Sequence, residues 1–146
     1  MVQSRYLRNP LARRADLTSR DMRPDHRQRL GALGETLACR HLEARGYSVL
    51  ARNFRTRHGE LDLVAADARC LVICEVKTRV GRTPGIGPLA AVGQAKRSQI
   101  RRMARQWLAE RGPGGPRPAE LRFDAIGITL DGRGTLIELD HVEAAF

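Results

Sequence analysis

Two apolar runs, LDLVA at 61–65 and CLVICEVK at 70–77, stand only four residues apart, and nothing else in the chain narrows its fold as much. That spacing predicts an antiparallel hairpin. Upstream, apolar residues at 30, 33, 37, 38 and 42 keep the three-to-four spacing of one helical face, which predicts a helix over about 25–45 with Gly46 placed to end it. YSVLAR predicts a short strand, and FRTRHG a basic loop. Downstream, RVGRTPGIGP has no period and predicts a mobile basic loop. Over 89–111, Val92, Gln99, Ile100, Met103 and Trp107 share a face while Arg97, Arg101 and Arg105 lie largely away from it, which predicts a second helix. GPGGPRP then breaks the chain, and LRFDAIGITL and TLIELDHV predict two strands around the turn dipeptide Asp131-Gly132. The order is helix, three strands, helix, two strands, an α/β domain with a mixed central sheet flanked by helices.

A chain of 146 residues makes one domain the default, burying roughly 70% of its unfolded surface. No apolar run approaches the ~18 residues of a membrane span, and few aromatics argue against a binder that works by stacking on single strands. The formal charge is +10, and half of the excess lies in residues 1–29, which carry eight arginines and three aspartates. With few large apolar side chains, this segment reads as a basic mobile N-terminal arm, and 30–146 as the folded domain. It has no apolar h-region of a secretory signal, and its aspartates interrupt the positive face an organellar presequence would need. Cys39, Cys70 and Cys74 show no CxxC or zinc spacing, and the last two, about 13 Å apart along a strand, cannot bridge each other. A reducing cytoplasm is the expected location.

Chemistry concentrates on the hairpin. Alternate strand residues share a face, so Glu75 and Lys77 point the same way, about 7 Å apart. A hairpin centred between Ala68 and Arg69 sets Asp62 opposite Glu75. Two carboxylates at cross-strand distance repel unless a cation sits between them. A hard divalent ion, Mg²⁺ or Mn²⁺, suits that place beside a phosphate, with Lys77 orienting an attacking water.

The ordered set GETLA, GELDLV and CEVKTR resembles the PD-(D/E)xK nucleases. The wider pattern, GETLACRHLEARGYSVLARNFR, LVICEVKTR, AVGQAKRSQIRRMARQWL and RFDAIGI, resembles the YraN-type family of small bacterial proteins, related to the Holliday junction resolvases. The likeness runs over about 31–146. It implies a restriction-endonuclease-like fold, with Glu35, Asp62 and Glu75 as metal-site acids and Lys77 as the motif lysine. The Pro-Asp step of the motif is absent, because Leu61 precedes Asp62.

The resulting expectation is a metal-dependent endonuclease acting on nucleic-acid phosphodiesters, with branched DNA implied by the resemblance alone. Its catalytic residues are Glu35, Asp62, Glu75 and Lys77, the first three as metal ligands. Lys96, Arg55, Arg57, Arg79, Arg82, Arg97 and Arg101 are expected to hold the backbone. Glu35 lies at the margin of its helix face, where a half-exposed glutamate and a third acid both fit. Glu60 and Asp124 read as structural, and of four scattered histidines only His58, in the basic loop, is near the candidate acids. Lys77 and Lys96 are the only lysines among 26 basic side chains, and Lys96 falls on the apolar face of the second helix, where an ammonium needs an acid or a phosphate. Paired cuts in a junction would suit a homodimer. A rival reading is a non-catalytic nucleic-acid-binding module with a vestigial site, and a third is a protein-interaction adaptor.

Overall fold

A computed structural model describes residues 5–8, 24–81 and 93–146. The elements are β1 (Arg5–Arg8), α1 (Pro24–Ala44), β2 (Ser48–Thr56), β3 (Gly59–Ala66), β4 (Cys70–Val80), α2 (Gln94–Arg111), β5 (Glu120–Leu130) and β6 (Leu136–Val142). Pro24 opens α1 where a missing N–H costs nothing. At its other end Gly46, with φ at +92°, donates to the Glu43 carbonyl while Tyr47 N–H reaches back to Leu42, closing the helix in a Schellman motif.

Six strands form one sheet in the order β1-β6-β5-β4-β3-β2. The β3–β4 hairpin pairs Leu63 with Cys74 and Val64 with Ile73, the expected register. β4 and β5 are parallel, so the sheet is mixed, and the other neighbours are antiparallel. Alternation along β4 divides the core. Val72 and Cys74 pack with Leu30, Ala38 and Leu42 of α1, whereas Leu71 and Ile73 pack with Ile100, Met103 and Trp107 of α2. A helix therefore covers each face, the restriction-endonuclease-like α/β arrangement that the motifs implied.

Three expectations are corrected. FRTRHG is not a loop: Phe54, Arg55 and Thr56 continue β2 and pair with Leu61, Glu60 and Gly59, leaving Arg57-His58 as the turn. Burial of Phe54 against the α2 cluster extends the strand. Arg79 and Val80 belong to β4, held by the parallel ladder to Thr129 and Leu130, and the rest of the expected loop from 82 onward lies outside the described residues. Within the segment read as an arm, Arg5–Arg8 pair with β6 and cover what would be an open sheet edge, and α1 already begins at Pro24. The rest of that segment, 1–4 and 9–23, and the expected start of the second helix at 89–92 lie outside the described residues. All three cysteines are buried and unbridged. Among the described residues, no helix is long and apolar enough to cross a membrane.

Candidate functional site

The site lies where the sheet forks. The β3–β4 ladder ends at Leu63 and Cys74, while β3 stays paired with β2 to Gly59 and β4 with β5 to Val80. At the root of the fork the Val76 N–H has no β3 carbonyl to meet and donates instead to Asp62 Oδ2 at 2.8 Å. Asp62 and Glu75 thus stand on the two arms, one step past the last ladder pair, near enough for the charge of one to act on the other. Burial, then the Glu75 charge, push the Asp62 carboxyl up to about 7, against the pull of the Val76 N–H.

Glu75 is the buried member, its side chain 8% exposed, and Lys96 Nζ and Lys77 Nζ approach its Oε1 at 3.3 and 3.6 Å. Lys96 reaches it from α2, which explains an ammonium on an apolar helix face. Lys77 is the freer of the two at 56% exposure.

The third side is supplied by α1. A Cβ built on Gly34 would lie 1.9 Å from Thr78 Oγ1, so only glycine lets the helix rest this closely on β4. The next residue, Glu35, then reaches the fork. Carboxylate oxygens of Glu35, Glu60 and Asp62 lie within 4.8 Å of one another. Asn53, with φ at +51°, donates to Glu35 Oε2 at 3.0 Å, and Arg55 Nε donates to Glu60 Oε2 at 3.0 Å. Three oxygen donors of this kind fit a hard divalent cation.

The structure therefore brings together all four residues expected to be catalytic, and it adds a fifth. Of the expected ligand set, Asp62 and Glu35 sit in the three-carboxylate group, whereas Glu75 abuts Asp62 from the lysine side. Glu60, read as structural, joins the group because β3 begins at Gly59 and carries it as a strand residue sharing the Asp62 face. The two-residue spacing already puts Glu60 on the Asp62 face in the sequence, and only its place at the edge of an expected loop spoke for a structural role.

The expected phosphate-contacting residues are more scattered. Arg55 is engaged by Glu60, Arg57 Nε donates to His58 Nε2 at 3.2 Å, and the Arg101 guanidinium rests 5.5 Å over the Phe123 ring. Arg97 is at the first turn of α2 and Arg79 is in β4, both half-buried, while Arg82 lies outside the described residues. His58 contributes its carbonyl, which accepts from Gln99 Nε2 and fastens the β2–β3 turn to α2.

Asp124 is not at the fork. In β5 it pairs with Cys74 on the α1 face and is fully buried. Arg122 holds both of its oxygens at 2.8 and 2.9 Å, His141 Nε2 meets Oδ2 at 2.8 Å, and the Ala144 N–H donates at 3.1 Å. Burial pushes this carboxyl up, but those hydrogen bonds outweigh it and leave Asp124 below the usual carboxylate range. Arg45 Nη1 lies 2.9 Å from His141 Nδ1, and an arginine can only donate, so Nδ1 accepts and Nε2 carries the proton toward Asp124. His41 Nε2 adds a contact to Nδ1 at 3.0 Å. Burial, then His141 and Arg45, depress the His41 ring to about 4. Two histidines that look scattered in the sequence thus join one structural cluster.

The family model described as "Uncharacterised protein family UPF0102" matches residues 34–128. A UPF0102 protein of Parafrankia sp. (strain EAN1pec) is 48% identical over 120 residues, 82% of this chain and 97% of that protein. One from Streptomyces griseus is 48% identical over 106 residues, covering 72% and 86%. One from Pelotomaculum thermopropionicum is 41% identical over 122 residues, covering 84% and 98%.

Proposed function

The chain belongs to the uncharacterised protein family UPF0102, in keeping with the YraN-type resemblance, and from the acids at its sheet fork we propose that it is a metal-dependent endonuclease of nucleic-acid phosphodiesters. The observation that carries this reading is the unbalanced charge at the fork. Among the described residues no ion pair meets Glu35 or Asp62, yet both stand against Glu60, and Asp62 against Glu75 as well. A fold that gathers acids this way stores repulsion that a bound cation relieves.

In this reading Glu35, Glu60 and Asp62 hold Mg²⁺ or Mn²⁺. Bound there, the ion supplies charge stabilisation to the phosphoryl oxygens and eases ionisation of the attacking water. Glu75 anchors two ammonium groups at the rim. Lys77, the more exposed, orients the attacking water, and Lys96 meets the scissile phosphate. Asn53 and Arg55 fix the Glu35 and Glu60 carboxylates from behind. Branched DNA is the preferred substrate on the strength of the family resemblance.

The test is incubation of the purified protein with branched, duplex and single-stranded DNAs, with and without Mg²⁺ or Mn²⁺. Cleavage should require the metal, and Glu75→Gln should lower it by about 10²-fold or more while leaving DNA affinity similar or slightly higher. A Glu75→Gln protein that cuts as fast as the parent refutes the assignment. One observation favours a second reading, a binding module with a vestigial site: Lys77 and Lys96 both engage Glu75, the motif acid. Salt-sensitive binding with no cleavage under any metal would select that reading.

A further inference from the structure

α2 carries Lys96, Arg97, Arg101, Arg102, Arg105 and Arg111 against one acid, Glu110, and that acid accepts from Gln106. The helix begins at the fork, where Lys96 is drawn to Glu75, and runs away from it. Ile100, Met103, Ala104 and Trp107 bury one stripe. Arg97, Arg101 and Arg105 follow at intervals of four, a rise of about 6 Å per step, on the flank that passes over Phe123 and outward to solvent. Arg102, three residues before Arg105, adjoins it on the exposed side of the helix.

Charge alone would give a general attraction to polyanions. Two further observations narrow it. The Arg101 guanidinium is already stacked over Phe123, so its fork is oriented before any ligand arrives. In addition, β1 aside, no tryptophan, tyrosine or phenylalanine is left exposed among the described residues. Trp107 and Tyr47 are buried, and Phe54, Phe123 and Phe146 pack on the α2 cluster. The exposed side chains between the arginines of α2 are Ser98, Ala109 and Glu110, and the one exposed glutamine of the helix, Gln94, precedes the arginine row. The helix has donors for phosphates, nothing on which to stack an unpaired base, and little with which to read a base edge.

Resting on the nucleic-acid reading above, we propose that α2 seats the phosphate backbone of one strand of a duplex. The strand leaves the Lys96 corner along Arg97, Arg101 and Arg105, about one phosphate per helical step, without regard to base sequence. Duplex is the substrate class because paired bases need no stacking platform. The helix then sets which side of the cut the enzyme grips.

The experiment measures affinity of the full chain in EDTA, so that cleavage plays no part, for a duplex of arbitrary sequence and for the matching single strand across a series of salt concentrations. The parent should prefer the duplex. An Arg101→Gln/Arg105→Gln protein should lose about 1.8 from the slope of log affinity against log salt, and Arg105→Gln alone, at an exposed position, about 0.9. Arg40→Gln, exposed on α1 across the sheet, should keep the parental slope, and scrambling the duplex sequence should change nothing. Equal slope losses for Arg40→Gln and Arg105→Gln, or tighter binding of the single strand, overturn the proposed path while leaving the endonuclease reading intact. Failure of the parent to bind any nucleic acid overturns both.

Discussion

Two groups of acids sit on one sheet and are finished in opposite ways. Around Asp124 both of its carboxylate oxygens are met: Arg122 and His141 bond it directly, Arg45 and Arg122 take up Glu143, and the Asp124 carboxyl is held below its usual range. Around Asp62 both available lysines go to Glu75, Glu60 takes Arg55, and Asp62 rises to about 7. The first group is neutralised by the fold itself. The second is left short of positive charge, which costs stability and is a reason to regard it as the working site. Burial of an acid is common to both, so burial does not distinguish a working carboxylate from a structural one. The sign of the compensation does.

The largest break in that contrast should come from Asp124→Ala, which strands Arg122 and His141 in the interior and should cost about 3–5 kcal/mol. Thermal or urea unfolding measures it, and a loss below 1 kcal/mol would mean the group is not the keystone described. Gly34→Ala should follow at about 1–3 kcal/mol, because the new methyl meets Thr78 and must push α1 off β4. Since α1 carries Glu35 to one group and His41 to the other, this variant should also weaken metal binding. Thr78→Ala in the same chain should recover part of the stability.

Asp62→Asn should act in the other direction. Replacing a carboxylate whose ionised form is disfavoured should stabilise the protein by about 1 kcal/mol at pH 8 in the absence of metal, after allowance for solvent screening. A destabilisation as large as that of Asp124→Ala would erase the distinction between the two groups.

The pH dependence separates them further. The folded state holds Asp62 near 7 against an ordinary 3.8, so it binds the extra proton, and this contribution is complete below pH 3.8 and lost as pH rises through 7. His41 is depressed from 6.5 to about 4, so its contribution is complete above pH 6.5 and lost as pH falls through 4. Melting temperature against pH should therefore lose its neutral decline in Asp62→Asn and soften its acid decline in His41→Gln. Added Mg²⁺ should raise the melting temperature more at pH 8 than at pH 5, because the ion competes with the proton on Asp62.

The smallest changes keep the charge and alter only its shape. Lys77→Arg should lose most cleavage, since a planar guanidinium is a poor substitute for a compact ammonium at the fork, and Lys96→Arg should weaken cleavage or stability. Arg97→Lys, in the row where charge is the requirement, should do little. Parental cleavage and melting temperature in both lysine variants would remove any special role for the ammonium groups.

The residues themselves determined the hairpin and with it the heart of the site. A short gap between two apolar runs admits few registers, and a period of two then fixes Asp62 across from Glu75 and Lys77 on the same face as Glu75. Helical periodicity likewise set Lys96 on the buried face of its helix. What lay beyond reach were pairings between distant segments. Glu60 entered the acid group because β2 and β3 stay paired down to Gly59, and Asp124, read as structural, stays out of it because β5 joins β4 in parallel and turns that carboxylate toward α1. His41 and His141, a hundred positions apart, meet because the last turn of α1 comes within side-chain reach of β6, and Arg5–Arg8 become a strand because β6 offers an edge. Local periodicity states which face of an element is apolar. Which faces come to meet is settled by packing the elements on one sheet, and that choice belongs to the whole chain rather than to any stretch of it.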